Sequence, residues 1–180
     1  MDCEWIETYT GRRFCPLDPR PEDVCLTDIV WALSQKCRYT GHCATFFSVA
    51  EHSVLVSRLV PAEAKLWGLL HDAAEAYLPD VARPIKRSLA GFEAIEERVL
   101  RAIAEALGLP WPVPDVVWEA DTIALATEKP VLFPSSPNEW NLGVEAADLP
   151  VRCLSPIAAR AAFLERFTVL QEMARAQSVL

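Results

Sequence analysis

The sequence predicts an all-α domain, a single bundle of about six main helices, and three observations carry that prediction. No segment of the 180 residues shows the apolar-polar alternation of a half-buried strand, whereas several stretches place apolar side chains three and four residues apart. Pro61, Pro79, Gly108 and the Pro-rich LPWPVP end those stretches where helices should stop. Hydrophobic residues make up 52% of the chain, which at this length suffices for one core.

The elements follow in order. Residues 1–25 carry Pro16, Pro19, Pro21 and the turn TGRR without a sustained period, and read as an irregular arm. Thr27 stands as an N-cap ahead of Asp28, and Ile29, Val30 and Leu33 give a short helix that runs out near Lys36. Residues 37–47, CRYTGHCATFF, contain Gly41 and read as a loop. SVAEHSVLVSRLV follows as a helix ended by Pro61, with Val49, Val56, Leu59 and Val60 at helical spacing. The third helix, over about 62–78, is apolar around nearly its whole circumference through Leu66, Trp67, Leu69, Leu70, Ala73, Ala74 and Tyr77, which predicts a central place in the core. Pro79 ends it, and DVARPIKRS is a basic connection with Pro84 in its middle. FEAIEERVLRAIAEALG is amphipathic, with Ile95, Val99, Ile103 and Leu107 on one side and Gly108 closing it. A fifth helix runs from about Asp115 to Lys129, residues 130–154 are loop-rich, and Ser155-Pro156 signals the start of a last helix reaching about 176. The chain, 1–180, is thus one domain: the arm 1–25, a core over 27–130, and a C-terminal loop and helix over 131–180.

Composition excludes some classes of function. The net charge of −8 works against non-specific affinity for nucleic acid polymers and anionic membranes, both of which attract a surplus of Lys and Arg. The longest apolar runs, such as AKLWGLL, fall short of the roughly 18 residues of a membrane span. The start, MDCEWIETYTGRR, lacks the basic-then-apolar pattern of a secretory signal, so the cytoplasm is the expected location. Cys3, Cys15, Cys25, Cys37, Cys43 and Cys153 show no CxxC spacing and read as mostly free thiols.

Against this background the stretch HDAAEAYLPD stands out. The chain has three histidines, and His71 sits beside Asp72 in an otherwise apolar helix. On a continuous helix His71 and Glu75 share a face, with Asp72 about 100° further round. A buried carboxylate requires a positive partner or shifts its pKa upward until it is neutral. Neighbouring helices repeat the anomaly: His52 lies between Val49 and Val54, and Asp121 lies among Ala, Ile and Leu in VVWEADTIALATE. Two imidazoles and two carboxylates from three helices are ligands of the kinds divalent transition metals prefer. Buried ion pairs with arginines are the competing reading.

The ordered set EHS, HDAAE and ADTIALATE resembles the HD-domain phosphohydrolases, in particular the compact bacterial 5′-deoxynucleotidases and the phage deoxynucleoside triphosphohydrolases, over roughly residues 25–130. That resemblance implies that His52, His71, Asp72 and Asp121 bind one divalent metal (Mn, Co, Zn or Fe), which positions and activates a water and helps hold a phosphate oxygen. It places Glu75 as the carboxylate acting on the attacking water or the leaving oxygen, and Asp80 near the leaving sugar oxygen. It gives Arg38 to the phosphate and Tyr39 to the base, where relatives tend to carry tryptophan. His42, on the Gly41 loop, either reaches a phosphate or anchors the loop. Arg83, Lys86 and Arg87 bind further phosphates, with additional Mg for a triphosphate, or form a solvated face. Pro84 stands where it would crowd the sugar 2′ position and favour deoxyribose.

The expected function is therefore metal-dependent hydrolysis of a small deoxynucleoside mono- or triphosphate. The alternative is a non-catalytic HD-fold module for ligand sensing or interaction. The apolar stripes serve either the core or a homo-oligomer interface.

Overall fold

Seven α-helices carry residues 3–177, the part described by a computed structural model of the chain, in which the side chain of Arg83 also lies outside the description. They are α1 (Leu26–Gln35), α2 (Val49–Leu59), α3 (Lys65–Leu70), α4 (Arg83–Lys86), α5 (Phe92–Leu107), α6 (Asp115–Leu132) and α7 (Pro156–Gln177). Six are substantial and α4 is barely one turn, so the all-α expectation holds. Strand among the described residues is confined to an antiparallel pair, β1 (Ile6–Glu7) and β2 (Arg13–Phe14), with Ile6 opposite Phe14. The arm thus carries a small hairpin over residues 6–14 in an otherwise irregular stretch. Two residues a side are too few for alternation to register in the sequence, and the turn closes at Gly11, whose φ of +77° suits glycine. Phe14 then anchors the hairpin, fully buried and stacked on Tyr77 at 3.7 Å between centroids.

Helix α1 starts two residues earlier than expected, with Cys25 at the cap, so Thr27 lies inside it. Asp28 is drawn outward: its carboxylate accepts from the Thr10 backbone N–H at 2.7 Å and the Thr10 hydroxyl at 2.8 Å, tying the arm to α1. At α2 the cap is a side chain, Ser48, whose hydroxyl accepts from the Glu51 N–H at 3.1 Å.

The central helix is α2, not the more apolar third helix. Every residue from Val49 to Ser57 is buried, and α2 packs against α1, α3, α6 and α7. Its polar side chains tolerate this because each is satisfied. The Ser53 and Ser57 hydroxyls donate back to the Val49 and Val54 carbonyls, and Arg166 of α7 donates to Ser57. Glu51 accepts from the backbone N–H groups of Arg152 and Leu154 at 2.8 and 2.7 Å, fixing the chain that leads into α7. On its other side α3 approaches so closely that a Cβ on Gly68 would lie 3.0 Å from the Ser57 Cα.

The third helix breaks where a continuous one was expected over 62–78. A 3₁₀ turn at Ala62–Ala64 leads into α3, α3 stops at Leu70, and a second 3₁₀ turn occupies Ala73–Ala76. Side chains satisfy the carbonyls that such a break releases: the Gly68 carbonyl accepts from the His71 ring, and those of Glu75 and Leu78 accept from the Lys36 ammonium. Further on, Gly108 closes α5 with a left-handed φ of 66°, and α6 continues past Lys129 to Leu132 with Pro130 in its last turn. Cys25, Cys37, Cys43 and Cys153 are free, in line with the expectation of mostly free thiols, while Cys3 and Cys15 form a disulfide. No helix among the described residues is long and apolar enough to cross a membrane.

Candidate metal centre

Three helices deliver polar side chains to one point in the core. Helix α2 brings His52, the break after α3 brings His71 and Asp72, and the middle of α6 brings Asp121. The His52 Nε2 lies 3.3 Å from the His71 Nε2, 3.6 Å from Asp72 Oδ2 and 3.2 Å from Asp121 Oδ1. The His71 Nε2 lies 3.3 Å from Asp72 Oδ2. Ligand atoms of His52, His71 and Asp72 all fall within 4.8 Å of one another, so this group could hold a metal ion, with Asp121 at its edge.

The opposite nitrogens of both rings are already engaged. His71 Nδ1 donates to the Gly68 carbonyl at 2.9 Å, and His52 Nδ1 lies 2.5 Å from Glu128 Oε1. With the proton at Nδ1 in each ring, both Nε2 lone pairs turn to the shared point, the arrangement in which metal-binding histidines are usually held. The separations of 3.3–3.6 Å among His52, His71 and Asp72 also fit donor atoms each roughly 2.0–2.2 Å from one central ion. The donor set therefore suits a divalent transition metal.

Without a cation the protons distribute unevenly. Burial and the Arg38 charge oppose protonation of His52, but Glu128 and Asp121 prevail and its pKa is pushed up to about 9. Burial lowers that of His71, so the neutral ring faces the charged one. Burial alone would raise the Asp121 carboxyl, yet hydrogen bonding and charge from His52 hold it well below the usual carboxylate range. Glu128 is held down in the same way by Arg38 and His52, against its own burial.

Glu128 is the principal residue that reading the sequence passes over. It is fully buried and meets His52, the Tyr39 hydroxyl at 2.5 Å and Arg38 Nε at 3.3 Å. A signal was available: Glu128 closes the ADTIALATE stretch seven residues after Asp121, two helical turns on and on the same face of α6.

The remaining site residues divide by location. Arg38, Tyr39, Asp72, Glu75, Asp80, Pro84, Lys86 and Asp121 line one cavity of about 670 Å³, with Trp118, Leu125, Trp140 and Leu142 among its other walls. Glu75 thus faces the cavity with Asp72 rather than sharing a helix face with His71, because the helix breaks between them. Its Oε2 is buried with no hydrogen-bond partner, and burial together with Asp72 and Asp80 raises its pKa well above the ordinary range. Burial raises Asp80 as well. Arg38 is not a solvated surface residue: its side chain is 12% exposed and reaches Asp72 at 3.5 Å as well as Glu128. Part of the arginine-pair reading is therefore realised beside the candidate metal site. Tyr39 borders the cavity, but its hydroxyl is held by Glu128 and its ring packs against Phe133 and Trp140. Lys86 is paired with Glu96, Arg87 and Pro84 are exposed, and the Arg83 side chain lies outside the described residues. His42 is exposed on its loop and is not among the residues lining this cavity.

No family model matches the chain. The uncharacterized protein YfdR of Escherichia coli K12 is 38% identical over 172 residues, spanning 94% of this chain and 97% of YfdR. An uncharacterized protein of Rhodobacter capsulatus is 32% identical over 190 residues, spanning 94% of this chain and 97% of that relative.

Proposed function

The chain belongs to the family of YfdR, and for it we propose divalent-metal-dependent hydrolysis of (deoxy)nucleotide phosphates, with His52, His71, Asp72 and Asp121 holding the ion. The observation that carries this reading is the convergence of two imidazole nitrogens and two carboxylates beside a cavity also lined by Glu75, whose buried Oε2 has no hydrogen-bond partner. When bound, the metal supplies a Lewis acid for activating water and stabilising charge on a phosphate oxygen.

The chain's own residues supply the rest. In the overall reaction water adds to phosphorus, the bond from phosphorus to the sugar oxygen breaks, and one proton from the water ends on the departing alcohol. Glu75 is suited to carry that proton, since burial raises its carboxyl well above the usual carboxylate range and a cation beside Asp72 would lower it again. Asp80 borders the same cavity and orients the leaving oxygen. Arg38 stands between Asp72 and the cavity, where a substrate phosphate competes with Asp72 for its guanidinium. Trp140, Leu142 and Leu125 give an apolar wall on which a base and sugar can lie.

Among the described cations at this cavity, Arg38 is engaged by Asp72 and Glu128 and Lys86 by Glu96. Holding the outer phosphates of a triphosphate needs several uncommitted cations, so the geometry favours the monophosphate. The test is to incubate the protein with Mn²⁺ or Co²⁺ and a panel of ribo- and deoxynucleoside mono- and triphosphates, resolving the products. Deoxynucleoside plus orthophosphate is expected, release of inorganic triphosphate would transfer the reading to the triphosphohydrolase, and no turnover of any nucleotide would overturn it.

A further inference from the structure

We infer that Glu128 is a positioning residue, a carboxylate that orients His52 for the cation and keeps Arg38 from drawing Asp72 out of the centre; this rests on the metal-dependent reading above. One oxygen, Oε1, sits 2.5 Å from His52 Nδ1, and the other, Oε2, accepts from the Tyr39 hydroxyl at 2.5 Å and forms an ion pair with Arg38, whose Nε lies 3.3 Å away without a hydrogen bond. The carboxylate is fully buried, so no water substitutes for these partners at low cost.

Two consequences follow from that geometry. First, a carboxylate accepts only, so His52 must present N–H at Nδ1 and turn Nε2 to His71, Asp72 and Asp121. Second, Arg38 lies between two acidic groups, 3.3 Å from Glu128 and 3.5 Å from Asp72. Removing the Glu128 charge leaves Asp72 as the nearest anion to Arg38, and every ångström that Asp72 moves towards the guanidinium is lost to the cation. Glu128, 76 positions from His52 in sequence, thus links a ligand on α2 to the loop that carries Arg38 and Tyr39.

The test compares chelator-treated wild type, Glu128→Gln and Tyr39→Phe by titration with Co²⁺, following the affinity by calorimetry and the visible absorption of the bound ion. Glu128→Gln keeps the shape but removes the charge that pairs with Arg38 and offers one acceptor oxygen for the His52 and Tyr39 donors. It should weaken Co²⁺ binding by about 10- to 100-fold, as loss of an outer carboxylate partner does elsewhere, and alter the band. Tyr39→Phe removes one hydrogen bond and leaves the carboxylate, and should bind Co²⁺ as the wild type does. If Glu128→Gln fails to fold, Glu128→Asp, which keeps the charge but draws it back by one methylene, should show the same loss. Wild-type affinity and spectrum in the Gln or Asp variant, with only the melting temperature lowered, would overturn the inference and leave the metal reading intact. A wild type that binds no Co²⁺ would overturn both.

Discussion

The Nε2 atoms of His52 and His71 face each other at 3.3 Å across a point that Asp72 and Asp121 also border. Two acceptor lone pairs at that distance repel unless a proton or a cation lies between them. In the cation-free protein the charge on His52 fills that role. Replacing His71 with alanine takes away one donor and should reduce metal bound after dialysis from about one ion per chain to a trace, with phosphohydrolase activity falling at least a hundredfold. Elemental analysis alongside the activity assay checks both.

The Glu75 carboxyl is buried, faces the cavity and borders Asp72 without being part of the ligand group. Glu75→Gln should therefore retain the metal while lowering kcat by about a hundred- to ten-thousandfold, the usual contribution of a general acid or base. Unchanged kcat with the metal in place would remove Glu75 from the chemistry.

The pH dependence has a definite sign. The folded value for His52, about 9, lies above the roughly 6.5 of an exposed histidine. Stability from this charge is therefore fully present below about pH 6.5 and is lost as pH rises through about 9. Chelator-treated protein should lose on the order of 3 kcal/mol across that window, read by chemical denaturation at its two ends. Below about pH 9 metal uptake must also displace this proton, so the apparent metal affinity should rise with pH. Calorimetry in buffers of different ionisation enthalpy counts the proton released.

Gly68 serves both packing and the centre. A Cβ there would sit 3.0 Å from the Ser57 Cα and from Val60 Cγ2, and backbone cannot yield as a flexible side chain would. Gly68→Ala should cost about 1–3 kcal/mol, as overpacking of a tight core does. Because the Gly68 carbonyl orients the His71 ring, metal affinity should fall with it. Denaturation and Co²⁺ titration of the same variant measure the two effects.

Lys36 spans 39 residues to hold the carbonyls of Glu75 and Leu78, which sets the turn that aims Glu75 into the cavity. Lys36→Met should lower kcat by roughly tenfold, reflecting misplacement of a general acid, and leave metal content unchanged. Steady-state kinetics with metal analysis on one sample decides it.

Much of this architecture was legible from local rules. Gly108 at the end of α5 and Ser155-Pro156 ahead of α7 act where short-range signals place them. Three of the residues read as ligands, His52, His71 and Asp72, form one close group and Asp121 lies beside His52, since polar groups in apolar helices must find one another. What stayed hidden depends on distant partners. The break after Leu70 follows from carbonyls taken by Lys36 and the His71 ring, neither of which a helical pattern records. The burial of α2 depends on Arg166 and on the backbone of Arg152 and Leu154, about a hundred residues on. Arg38 reads as a phosphate-binding residue, and its ion pairs with Glu128 and Asp72 show only once those distant residues are placed against it. The Phe14–Tyr77 stack that anchors the arm likewise joins distant residues.

The most direct test of the central claim is equilibrium binding of Mn²⁺ or Co²⁺ to chelator-treated wild type, with His52→Ala and Asp72→Ala measured in parallel. One ion per chain in the wild type, lost in both variants, is the result this account predicts. A wild type that takes up no ion, or variants that bind it as tightly as the wild type, would contradict it.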